Sequence, residues 1–96
     1  MTFSFGTYYG KLQKKAEVAG LGLTETVYPA HAHLPIHTHE NPYFCLVLQG
    51  HYAEFYGTRE SLCGPSMLVF HPAGEAHANR FGKAGGACFN LEFGVM

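Results

Sequence analysis

The sequence predicts an all-β domain, and three observations carry that expectation. Short apolar runs alternate with polar residues at period two, no long window holds a helical period, and glycines fall between the runs. At 96 residues and 10.5 kDa the chain has room for one small domain, spanning 1–96. It is 47% hydrophobic and 15% aromatic, enough to build a core and too apolar for a disordered segment.

The elements follow in order. Met1–Gly10, with Phe3, Phe5, Tyr8 and Tyr9, suits an edge strand or an arm packed on a partner. Lys11–Val18 is short enough for a helix, but Gly10 and Gly20 bracket it and nothing continues it. Its Lys11, Lys14 and Lys15 read as a solvated edge that discourages strand-to-strand aggregation. Leu21, Leu23 and Val27 alternate with Thr24, Thr26 and Tyr28, a strand pattern. Pro29 and Pro35 favour an extended loop carrying His31 and His33. Tyr43–Leu48 is a continuous apolar run, expected of a strand buried on both faces, with Tyr43, Cys45, Val47 and Gln49 inward. Tyr52–Tyr56 follows directly after Gly50-His51, so the two runs read as a hairpin. Met67–Phe70 reads as a short buried strand. A Pro72-x-Gly74 turn then feeds a strand whose first inward residue is His77, with Asn79 and Phe81 on its face and Arg80 outside. Ala87, Phe89, Leu91 and Phe93 alternate with Cys88, Asn90 and Glu92 in a last strand.

Charge and cysteine usage narrow the functional classes. Six Lys and Arg against seven Asp and Glu leave a net charge of −1, so no basic field exists to hold a nucleic-acid backbone. No apolar run approaches the roughly 18 residues of a membrane span, and no signal peptide opens the sequence. The expected location is therefore the cytoplasm, where Cys45, Cys63 and Cys88 stay reduced. Their spacing matches no zinc or redox motif; Cys45 and Cys88 read as buried hydrophobes, and Cys63, beside Gly64-Pro65, as a partly exposed turn residue.

Histidine carries the chemistry. His37 and His39 lie two apart, so on a strand both imidazoles enter the same space, and His77 is their distant inward counterpart. Three neutral imidazoles of this kind can hold a divalent transition metal (Fe, Zn, Ni, Mn or Cu) with open positions for water or substrate. Without metal they line a polar pocket; both readings stand. His31, His33 and His51 read as solvated, and His71, before Pro72, as structural.

These residues resemble the two motifs of the cupin superfamily, at about 36–50 and 64–81. His37, His39 and Gly50 occupy the first motif, with Tyr43 at its carboxylate position. Pro72, Gly74 and His77 occupy the second, whose final Asn position holds Phe81 while Asn79 stands two residues early. Glu40 is a candidate replacement carboxylate, although on a strand it faces away from His39. The wording of His37–Gly50 and Phe70–His77 is similar to the N-terminal effector-binding domain of AraC-type transcriptional regulators. The resemblance implies a small cupin barrel, a double-stranded β-helix or jelly roll. It also implies a small-molecule effector bound by Tyr43, Cys45, Asn79 and Phe81. The apolar composition and aromatic N-terminus add a homodimer contact to these expectations. The helix-turn-helix pair of such regulators is not in this sequence, so DNA binding by this chain alone is not expected. The alternative is a small metal-dependent cupin enzyme, a dioxygenase or isomerase, using His37, His39 and His77.

Overall fold

The computed structural model describes residues 1–94, and all of its regular structure is β. Eight strands form in chain order: β1 Thr2–Phe3, β2 Lys11–Val18, β3 Leu21–Tyr28, β4 His33–His39, β5 Tyr43–Tyr56, β6 Arg59–Cys63, β7 Leu68–His71 and β8 His77–Phe93. No helix among the described residues is long and apolar enough to cross a membrane.

The scaffold is a ribbon of the two long strands. β5 and β8 run antiparallel from Tyr43↔Glu92 to Phe55↔Ala78, with register shifts between Val47 and Gln49 and between Gly50 and Tyr52. β4 and β3 flank β8 on one side, with β2 outside β3; β6 and β7 flank β5 on the other. At the register shifts the ribbon bends, and its wings curl into a half-barrel. Gly50 (φ +82°) and Gly85 (φ +64°) make the bend, and a Cβ on Gly50 would lie 1.9 Å from the Gly85 carbonyl oxygen. Only a glycine permits that backbone approach and that φ.

Several expected elements change in this light. The hairpin at Gly50-His51 is instead a bulge inside one continuous strand; the hairpin turn is at Gly57-Thr58, between β5 and β6. The bulge also turns Gln49 out to solvent, removing it from the expected inward set. The last two strand runs likewise merge into β8, because Gly85 bends the chain without ending its pairing. β7 is largely exposed rather than buried, and the outer face of β5 (Phe44, Leu46, Leu48) is only partly covered. β2 is a fully exposed edge strand with its Lys residues in solvent, and Lys14 reaches Glu25 at 3.9 Å.

The interior is more polar than the alternation suggested. On β3 and β8 it is Thr24, Thr26, Cys88, Asn90 and Glu92 that point inward, while Leu23, Phe89 and Leu91 lie half-buried outside. Asn90 donates to the hydroxyls of Thr24 and Thr26 at 3.2 and 3.1 Å, satisfying that wall. An apolar plug fills the rest. Phe81 stacks on Tyr28 at 4.4 Å and lies tilted against Tyr52 at 4.8 Å, in one cluster with Cys45, Cys63 and Cys88. Cys63 closes β6 inside this plug rather than lying in a turn, and burial pushes its thiol up to about 11.

The N-terminal arm folds back onto its own chain. Its β1 pairs in parallel with β4, Phe3 beside His39. A buried carboxylate holds the arm down: the Gly6 amide and the Tyr8 hydroxyl both donate to Glu92 Oε1 at 2.9 Å.

Candidate metal centre

Three imidazoles meet because two strands present them at matching register. His37 of β4 stands directly opposite His77 of β8, and His39 follows two residues on, on the same face. Their nearest nitrogens lie within 4.8 Å of one another, and all three residues are buried. Local backbone orients two of the rings. His37 Nδ1–H donates to the Pro35 carbonyl at 2.8 Å, and His77 Nδ1–H to the Glu75 carbonyl at 3.2 Å. Each such bond fixes a tautomer that leaves Nε2 with a free lone pair, the arrangement typical of metal-ligating histidine.

The rings are also held neutral. Burial lowers the pKa of His37 against the pull of the Pro35 carbonyl. Burial, reinforced by His37 and His77, lowers that of His39 to about 3. Burial and the neighbouring His71 lower His77. His39 Nδ1 is a buried nitrogen with no hydrogen-bond partner. An orphaned donor atom among neutral imidazoles fits a divalent transition metal.

Tyr43, which the motif resemblance puts at a carboxylate position, stands as an aromatic wall, stacked on His71 at 4.5 Å and close to His39 at 4.7 Å. Burial raises its phenol well above the ordinary range, so it stays protonated and serves as a donor. Asn79 lines the same cavity and donates to Glu54 at 2.9 Å, while Cys45 and Phe81 line its apolar floor. The free space beneath the arm is about 30 Å³, room for one water-sized group. Glu40 is exposed and takes no part. His31, His33 and His51 are exposed, as expected of solvated histidines.

Sequence reasoning missed Glu54 and undervalued His71. His71 is 3% exposed, and its Nε2 lies 2.6 Å from Glu54 Oε1, a residue 1% exposed. Burial works against the Glu54 charge, but hydrogen bonds from His71, Tyr56 and Asn79 outweigh it and hold the carboxyl below its usual range. All six Lys and Arg side chains are exposed, so this buried carboxylate has no Lys or Arg counterion inside. Glu54 sits at period two from Tyr52, on the inward face of an otherwise apolar strand. A charged residue at an inward position was the available signal.

A curled β-sheet with inward histidines from β4 and β8 defines the cupin fold. No family profile matches the sequence, and no curated protein matches it. Solved structures do. The chain is similar to the DMSP lyase DddQ from Ruegeria pomeroyi, at 26% identity and a TM-score of 0.74 over 82% of the chain. It spans only 41% of that lyase's length. KdgF from a Halomonas species matches over 84% of this chain and 76% of its own, at 16% identity and a TM-score of 0.74. A cupin-2 domain protein from Shewanella frigidimarina matches over 93% and 84%, at 13% identity and a TM-score of 0.74.

Proposed function

We propose that this chain is a small metal-dependent cupin enzyme, with His37, His39 and His77 holding one divalent transition metal. The observation that carries the reading is the convergence of three neutral imidazoles, two of them aimed by backbone carbonyls. The ionised Glu54 beside them adds a negative field that favours a cation. A bound ion would supply Lewis acidity toward a substrate oxygen. The chain's own residues do the rest: Tyr43 donates a hydrogen bond, and the arm residues Tyr8 and Tyr9 exclude bulk water. The substrate is a small polar molecule, and the likeness to a lyase supports enzyme chemistry.

A sensing role like that of AraC-type regulators is the second reading, supported by the motif wording and by the aromatic arm laid over the cavity. In it Tyr43, Cys45, Asn79 and Phe81 contact an organic effector. A homodimer is part of either reading; the exposed stripe of Leu68, Phe70 and Phe93 supports it.

The test is the metal content of tag-free protein by mass spectrometry, beside a His37→Ala/His77→Ala variant. About one equivalent in the wild type, lost in the variant, is expected. Metal-free wild type that is stabilised by organic ligands in thermal-shift screening would replace the enzyme with the sensor.

A further inference from the structure

Glu54, His71 and His77 form a second trio whose donor atoms also lie within 4.8 Å of one another, all buried. We infer that this trio is a second metal position, overlapping the three-histidine centre through His77 and used in alternation with it. The inference rests on reading the histidine cluster as a metal centre.

Three observations carry it. First, two histidines and a carboxylate are a complete donor set for a divalent transition ion, harder than three imidazoles. Second, His71 is 3% exposed and its Nδ1 has no hydrogen-bond partner. No neighbour therefore claims Nδ1, and it is free to take the ring proton that an ion displaces from Nε2. Third, the carboxylate is already shaped for an ion. Asn79 and His71 occupy Glu54 Oε1, and Tyr56 occupies Oε2. An ion entering between His71 Nε2 and Oε1 displaces one hydrogen bond; the ring proton moves to Nδ1, and the bonds from Asn79 and Tyr56 remain.

Sharing makes the positions exclusive. His77 Nδ1 is committed to the Glu75 carbonyl, so His77 has one free nitrogen, Nε2. One nitrogen lone pair serves one ion, and the chain binds one equivalent rather than two. The donor sets then sort the ions. Copper and zinc suit His37, His39 and His77, while iron and manganese suit the trio with the carboxylate.

The experiment uses full-length, tag-free protein titrated with cobalt(II). It reads stoichiometry after dialysis, affinity, and the visible d–d spectrum. Wild type is compared with His37→Gln/His39→Gln, with Glu54→Gln/His71→Gln and with His77→Gln. The expected result is one equivalent in wild type and in each double variant, with distinct spectra for the two doubles, the double that keeps the stronger position binding within about twofold of wild type. His77→Gln is expected to bind none. If the His37/His39 double binds none while melting like wild type, the second position is overturned and the three-histidine centre stands. Two equivalents in wild type overturn the exclusivity. Wild type that binds none overturns both this inference and the metal reading. If the His37/His39 double fails to fold, as judged by circular dichroism, His39→Gln alone takes its place: it cripples only the first position, so loss of cobalt there again overturns the second.

Discussion

At the residue scale the interior of this barrel is governed by histidine protonation. Burial holds His37, His39 and His77 below the ordinary value of 6.5, His39 at about 3. An unfolded chain takes up protons on these rings below about pH 6.5 that the folded chain refuses. Stability is therefore complete above that pH and declines as pH falls toward 3. Glu54 adds to the decline below its ordinary value of 4.5, because its folded carboxyl is the stronger acid. Metal-free protein is expected to lose melting temperature steadily from pH 7 to pH 4, read by circular dichroism. A flat profile would place the rings in solvent. Glu54 also bears on the fold: Glu54→Leu removes the partner of buried His71 and Asn79 and of half-buried Tyr56 and is expected to cost about 3–5 kcal/mol. Urea unfolding measures it.

The same residues show what could be read in advance. His37, His39 and His77 were legible because spacing of two fixes a common face and a Pro-x-Gly turn marks a strand start. Glu54 and His71 were not. Their meeting depends on the bend at Gly50, which brings the start of β5 and its partner β7 against the far end of β5. No local pattern records a bend that joins residues 17 positions apart.

At the scale of elements, alternation predicted strands correctly and their faces less well. β3 and β8 each carry one apolar and one polar set, and here the polar set lies inside. Period two states that faces differ; it does not state which one the barrel encloses. The ribbon bend is the element most exposed to mutation. Gly50→Ala places a methyl group onto the Gly85 carbonyl at a positive φ, and a loss of at least about 2 kcal/mol is expected in denaturant unfolding. The arm is the element most easily released. A Tyr8→Phe/Glu92→Gln variant removes the Tyr8 hydroxyl and the carboxylate charge that hold it. Amide hydrogen exchange at residues 2–10 is then expected to rise at least tenfold, with the strands of the ribbon unchanged.

At the scale of the molecule, apolar surface is left outside. Phe44 lies 4.9 Å from Phe70 and 6.0 Å from Phe93, and the stripe continues through exposed Leu68. A face of this kind on a small domain favours a second copy. Leu68→Lys/Phe70→Lys is expected to halve the mass seen by light scattering without lowering metal content. A wild-type monomer would remove the proposal.

β8 supplies His77 as its first residue and Glu92 next to its last, so one strand carries a proposed metal ligand and the anchor of the arm. Sliding β8 by a single residue against β5 would turn both outward together, along with Asn79 and Asn90. A misregistered molecule could therefore neither hold an ion at His77 nor close its arm. Assembly errors are all-or-none in this architecture: a chain is either fully equipped or inert, and with the proposed metal centre, metal uptake would count the correctly threaded fraction.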